Sequence, residues 1–377
     1  MMKKKKRKKE KMGSIDYVVF FTVIILLVIG IIMVYSSSSY YSLYHNGSST
    51  TFLKKELFAA VAGIVAMLFF MCFDYHKLKK FTVPVLIITV PLLLAVRLFA
   101  PVNGAYRWIR LGPLSFQPSE LAKYGLVLFM AMSLTARGDK IKSFWKGIMP
   151  YIIVSGIYAG IILAWQSNLS NAAIIMMVTI LMLFVAGGRV KHFICYLLPS
   201  LLGLVGLAIY FEPYRMKRFL NFIDPWKDAA GDGYQLIQSL YAFGSGGLTG
   251  LGLGQSRQKA LYMPEPHTDF IFSIIGEEVG LIGCLIIILV FAVLIWKGIN
   301  IALEAKDTYG SLLAMGIISV IAVQLIVNIA VVTGSMPVTG VPMPFISYGG
   351  TSLSITMGAM GILLNISRQR ENKKISL

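Results

Sequence analysis

Five ionisable side chains stand inside or at the mouths of long apolar runs: Glu120, Lys123, Asp269, Glu277 and Glu278. A charge taken out of water is expensive, so such groups either pair with one another or serve a site. Glu120 and Lys123 are three residues apart, which puts them on one helical face. That spacing suits a structural ion pair as well as a substrate contact. Glu277 and Glu278 are adjacent, so on a helix they point in different directions, and one is expected to meet a cation on another helix. Asp269 is the sharpest case. It closes the stretch Met263-Pro264-Glu265-Pro266-His267-Thr268-Asp269, in which two prolines impose an extended loop, and it stands where a helix opens. Two roles are open to it: an N-cap for that helix, or a general base that takes a proton from a hydroxyl at the apolar boundary.

Other features exclude chemistry. Gly244-Ser245-Gly246-Gly247-Leu248-Thr249-Gly250 superficially resembles a phosphate-cradling loop, but it lacks the Gly-Lys-Ser/Thr ending and the strand of a P-loop. His267 has no Cys or His neighbour, so a metal site is not expected. No Gly-x-Ser-x-Gly nucleophile motif occurs. Cys72, Cys195 and Cys284 sit in or beside apolar runs without ligand spacing and read as buried small hydrophobes.

The elements that must position these groups follow from composition. Of 377 residues, 56% are hydrophobic and only 14% charged, with mean hydropathy +0.73; a soluble domain carries roughly 25% charge. A soluble globule and a disordered chain are both excluded, leaving an all-α polytopic membrane protein. The net charge of +18 invites a nucleic-acid reading. Residues 1–13 hold eight basic residues and one acid directly before an apolar segment. That pattern is better explained by a basic tail retained in the cytoplasm, and no nucleic-acid partner is expected.

Apolar runs able to cross ~30 Å of hydrocarbon fall near 17–37, 57–73, 81–99, 120–136, 146–165, 171–188, 192–211, 270–297, 308–333 and 351–367. Ten transmembrane helices place both termini on one side. With the N-terminus inside, inner segments carry 23 basic residues and outer segments 10, while Arg97 and Lys123 fall within helices; the positive-inside rule is met. The first run is long and lacks a small-residue cleavage site, so no cleavable signal is expected. The domain reading is a basic cytoplasmic tail over 1–13, a ten-helix membrane domain over 14–368 and a short cytoplasmic tail over 369–377. Between the seventh and eighth helices lies one long extracellular segment, 212–269. It lacks obvious secondary structure but mixes aromatics, glycines and charge, which suits a functional segment.

With these residues in view, the chain resembles the SEDS family of shape, elongation, division and sporulation proteins, which includes FtsW, RodA and SpoVE. The resemblance covers about residues 15–368. It rests on Gly104-Ala105-Tyr106-Arg107-Trp108-Ile109, Gln117-Pro118-Ser119-Glu120-Leu121-Ala122-Lys123, Asp224-Pro225-Trp226-Lys227-Asp228, Ser256-Arg257-Gln258-Lys259, Pro264-Glu265-Pro266-His267-Thr268-Asp269-Phe270 and Pro342-Met343-Pro344-Phe345-Ile346-Ser347-Tyr348-Gly349-Gly350. The Asp-Pro-Trp-Lys-Asp and Ser-Arg-Gln-Lys stretches look more like FtsW and SpoVE than RodA.

The resemblance implies a peptidoglycan glycosyltransferase of the bacterial cytoplasmic membrane. It would polymerise lipid II at the outer face, in division or sporulation, beside a class B penicillin-binding protein and other membrane partners. Asp269 matches the family's catalytic aspartate. Trp108 and its neighbour Arg107 match a functionally important external loop, Glu120 and Lys123 match a paired charge near the site, and Glu265, His267, Ser347 and Gly349 fall in its motifs as candidate substrate contacts. Loss of a pyrophosphate leaving group calls for cations rather than a second acid; Arg215, Lys217, Arg218, Arg257 and Lys259 are the candidates. No resident cofactor is assigned, and a divalent cation is a further candidate for that task. Where many members carry an acidic stretch between the fifth and sixth helices, this chain has Gln166-Ser167-Asn168, which leaves Asn168 as a hydrogen-bonding group. Two rivals are a flippase for lipid-linked sugars and a non-catalytic scaffold for the cross-linking enzyme.

Overall fold

The computed structural model describes residues 13–101, 105–111, 114–211, 213–231 and 233–370. Among these, a helix lies at each of the ten expected spans: α1 (Tyr17–Asn46), α2 (Thr51–Cys72), α3 (Leu78–Ala95), α4 (Pro118–Arg137), α5 (Met149–Gln166), α6 (Leu169–Val185), α7 (Leu198–Tyr210), α10 (Ile271–Leu303), α11 (Thr308–Val332) and α12 (Thr351–Ser367). Six helical stretches are long and apolar enough to cross a bilayer, and α6 and α12 are shorter apolar helices. Helix α11 is the centre of the bundle. Its apolar window is 72% buried, because α10, α4 and α6 pack around it; a helix apolar on every face needs such neighbours.

The 212–269 segment departs from the expectation of irregular structure. It contains two helices, α8 (Pro213–Ile223) and α9 (Tyr234–Gly246). A short antiparallel hairpin, β1 (Ile109–Leu111) with β2 (Leu114–Phe116), leads into α4. Arg97, expected inside a helix, lies in the 3₁₀ turn Val96–Leu98 that continues α3.

Helix α10, expected to be continuous, is broken at Gly280, whose φ of 69° and ψ of −173° are open essentially to glycine alone. A break in an apolar helix frees backbone groups that must find protein partners. The glycine-rich stretch after α9 supplies them. Leu251 and Gly252 donate to the carbonyls of Glu277 and Glu278, both at 2.9 Å, while Leu281 and Ile282 donate to Gly247 and Leu248 at 2.9 and 3.1 Å. The Gly244–Gly250 motif therefore serves the fold by matching a broken helix.

Both ends of the described chain meet at one end of the bundle. The Gly13 amide donates to the Arg368 carbonyl at 2.9 Å, and Arg370 pairs with Asp16 at 3.0 Å. Asp307, at the N-cap of α11, belongs to that end too, through His76 on the α2–α3 connection. Asn328, on the same helix, lies twenty-one residues further on, about 30 Å along the axis.

The cysteines correct an expectation. Cys284 is buried, but Cys72 and Cys195 are exposed on the outer surface of the bundle. In a protein whose outer surface faces lipid, a small hydrophobe is as well placed there as in the core.

Candidate active site

Asp269 lies at the end of the bundle opposite the termini, two residues before α10, in the turn that follows the prolines. The N-cap reading is not met: Phe270 holds that position, and no side chain caps the helix. Asp269 Oδ1 instead accepts a hydrogen bond from Thr268 Oγ1 at 2.8 Å. Burial pushes the carboxyl above the usual carboxylate range, and the negative charge of Glu265 adds to this. The Thr268 hydroxyl, the residue's own amide and Arg218 pull the other way. A carboxylate held above its usual range is a stronger base while remaining an acceptor.

Three segments converge on it. A Cβ placed on Gly340 would lie 3.6 Å from Asp269 Oδ2 and 3.9 Å from Arg107 Nη1, so acid and guanidinium border the same point. Gly340, with φ of 70°, leaves that point open. Arg107 is anchored by Nη2 donating to the Ser167 carbonyl at 3.2 Å, and Arg218 on α8 by Nη1 donating to the Val338 carbonyl at 3.2 Å. Trp108, beside Arg107, is half-buried. Asn328 ties the arrangement together. Its Nδ2 donates to the backbone carbonyls of Asp269 and Val341, both at 2.7 Å, which uses both amide hydrogens. Sequence reasoning missed Asn328. Its only signal is an amide in an apolar run, and its acceptors are backbone atoms distant in sequence.

Glu120 and Lys123 pair as their spacing suggests, with Oε1 and Nζ 2.8 Å apart and each side chain 1% exposed. Ser352, in the first turn of α12, donates to Glu120 Oε2 at 2.9 Å. Ser347 and Gly349 line a small cavity with Ser352. Ser347 Oγ also accepts from the Met343 amide at 2.8 Å, shaping the turn before α12.

Several of the expected substrate contacts are buried and already engaged within the protein. Lys259 is 2% exposed and its ammonium lies 2.7 Å from Glu278 Oε1, so it serves an internal pair. The partner of Glu278 thus comes from a turn and not from another helix. Asn168 is buried and caps α6, its Oδ1 accepting from the Asn171 amide at 3.1 Å. His267 is enclosed by Tyr41, Phe52 and Tyr348, and burial lowers its pKa to about 3, leaving it neutral. Arg257 is exposed and Glu265 half-buried. Arg215 falls in α8, but its side chain lies outside the described residues, as does Gly104. Among the described residues no group of three or more His, Cys, Asp or Glu converges as a metal site would require.

Comparisons with known proteins agree with this architecture. The family described as cell cycle protein, FtsW/RodA/SpoVE, matches residues 17–372. Stage V sporulation protein E of Bacillus subtilis (strain 168) is 46% identical over 84% of this chain and 86% of its own length. A probable peptidoglycan glycosyltransferase FtsW of Geobacter sp. (strain M18) is 43% identical over 83% of this chain and 86% of its own. Among solved structures, a chain from work on structural coordination of polymerization and crosslinking by a peptidoglycan synthase complex superposes with a TM-score of 0.79 at 27% identity, covering 95% of this chain and 99% of its own. The rod shape determining protein RodA of Thermus thermophilus gives 0.70 at 26% identity, covering 95% of this chain and 98% of its own. The chain belongs to the FtsW/RodA/SpoVE family of multi-pass membrane proteins.

Proposed function

We propose that this protein is a peptidoglycan glycosyltransferase that polymerises lipid II at the outer face of the bacterial cytoplasmic membrane, in cell division or sporulation. The observation that carries the reading is Asp269: a carboxylate raised in pKa, not used as a cap, and facing the same point as the Arg107 guanidinium. In the reaction the 4-hydroxyl oxygen of one lipid II GlcNAc attacks the anomeric carbon of a lipid-linked MurNAc. The hydroxyl proton passes to the Asp269 carboxylate. The bond from the anomeric carbon to the diphosphate oxygen breaks, and undecaprenyl pyrophosphate leaves with the electron pair. Arg107, Arg218 and Arg257 are the cations assigned to that charge, with Arg215 as a fourth candidate and a divalent cation as an additional one. Trp108 and Glu265 border the sugar. Glu120 and Lys123 hold α4 to α12 beneath the site.

The topology is part of the proposal. Ten crossings put residues 1–13 and 369–377 in the cytoplasm, the membrane domain over 14–368 and the 212–269 segment outside. The adjacency of Gly13 and Arg368 supports a common side for both ends, and the basic split supports the inside assignment. Maleimide labelling of intact cells tests it, in a background lacking the exposed Cys72 and Cys195. Ala230→Cys reacts from outside and Lys140→Cys does not; the reverse pattern overturns the orientation.

A class B penicillin-binding protein is the proposed partner. Purified protein with lipid II and that partner is expected to yield glycan polymer. Translocation of lipid II without polymer would indicate a flippase, and neither activity a scaffold.

A further inference from the structure

The outer half of α10 runs from Ile271 to the Gly280 break and ends on two buried carboxylates that the chemistry above does not use, Glu277 and Glu278. Glu278 meets Lys259 and the Ser36 hydroxyl. The Glu277 carboxylate is surrounded by donors. Its Oε1 accepts from the Arg257 amide at 3.0 Å and Ser245 Oγ at 3.3 Å; its Oε2 accepts from the Gln258 amide at 3.3 Å and from Ser256 Oγ. Ser256, Arg257, Gln258 and Lys259 are thus all fastened to the end of the half-helix by backbone or side chain. The guanidinium of Arg257 is what this turn leaves exposed. Asp269 lies eight residues before Glu277, just ahead of a helical run from Ile271 to Glu277 about 9 Å long. Base and cation are carried at the two ends of one short, stiff element.

We propose that Glu277 is a positioning residue for polymerisation: by fixing the Ser256–Gln258 turn, it sets where Arg257 meets the diphosphate of the lipid-linked substrate. This rests on the polymerase reading above. A carboxylate suits the task because it accepts four bonds without donating one, and backbone amides cannot be re-aimed as a flexible side chain can.

The test is steady-state kinetics of the purified protein with its partner on lipid II, in neutral detergent free of anionic lipid. Glu277→Gln turns one acceptor oxygen into a donor facing donors. It is expected to raise KM about tenfold and leave kcat within about twofold. Arg257→Ala is expected to raise KM similarly, and the double variant to be no worse than Arg257→Ala alone. Ser256→Ala, which removes one donor and leaves the carboxylate intact, is expected to shift KM in the same direction by about threefold. Four results overturn the inference. The first is a loss confined to kcat and folded yield. The second is strict additivity of Glu277→Gln with Arg257→Ala. The third is a KM effect that appears only when anionic lipid is added, which would make Arg257 a headgroup contact. In the fourth, Arg257→Ala leaves KM unmoved while the parent protein still polymerises; the polymerase reading survives and the diphosphate contact falls.

Discussion

The Glu120–Lys123 pair and the Asp269 mouth are both acidic sites beside apolar helices, and they solve the cost of charge in opposite ways. Glu120 has its counter-charge 2.8 Å away, a second donor in Ser352, and almost no exposure. Asp269 has a hydroxyl on one oxygen, a like charge in Glu265 and a guanidinium bordering the point that its other oxygen faces. The first arrangement leaves a substrate little to do. The second holds a carboxylate in a destabilised, basic condition that a substrate hydroxyl can relieve. Charge at membrane depth is therefore not by itself a sign of a site; what separates the two regions is whether the protein completes the partnership.

The comparison breaks most visibly at Asp269. Asn keeps the shape and accepts from Thr268, but cannot take a proton. Asp269→Asn is expected to insert, fold and bind its partner, with polymerisation reduced about 10²–10⁴-fold. Gel analysis of glycan strands decides; near-normal product would show that the acid is dispensable. The opposite region should fail through folding. Lys123→Ala strands Glu120 in the bundle at a cost of about 3–5 kcal/mol. Glu120→Ala/Lys123→Ala removes both charges and is expected to be milder than the sum of the single changes. Strict additivity in detergent unfolding midpoints would show that the two groups do not act as a pair.

Asn328 connects the helix core to the Asp269 mouth, so its loss is expected to be smaller than that of the acid. Asn328→Ala orphans the carbonyls of Asp269 and Val341, costing about 1–3 kcal/mol if both stay dry. The expected signature is a kcat lowered about tenfold with Asp269 still titrating in the pH profile. Unchanged kcat in Asn328→Ala would show that these two bonds do not aim the carboxylate.

Much of this was legible in the sequence, for local reasons. Apolar runs mark the ten helices because hydrocarbon tolerates little else. The i,i+3 spacing pairs Glu120 with Lys123, and the prolines isolate Asp269 at a helix mouth. What escaped is non-local. The break at Gly280 is completed by backbone some thirty residues earlier, and a glycine in an apolar run gives no sign of it. Helices α8 and α9 are polar or short and read as irregular. Lys259 looked like a free cation because Glu278 is recognisable as its partner only after the Ser256–Lys259 turn folds back.

The smallest expected effect sharpens the comparison most, because it probes the incomplete partnership itself. In the role proposed for it Asp269 must be ionised, so activity is expected to be lost as pH falls through its pKa. Because burial raises that pKa, the acid limb of the profile is expected to lie above the ordinary aspartate value of about 3.9. Its neighbours then act with opposite sign. Glu265 disfavours the ionised form, so Glu265→Gln should move the limb to lower pH. Arg218 favours it, so Arg218→Gln should move the limb to higher pH. Each shift is expected to be roughly half a pH unit, the scale of a partly screened charge coupling. Rate–pH profiles of kcat/KM for the two variants, each set against the parent protein, make the test. Opposite displacements from Glu265→Gln and Arg218→Gln would tie the acid limb to Asp269, and parallel displacements would detach it.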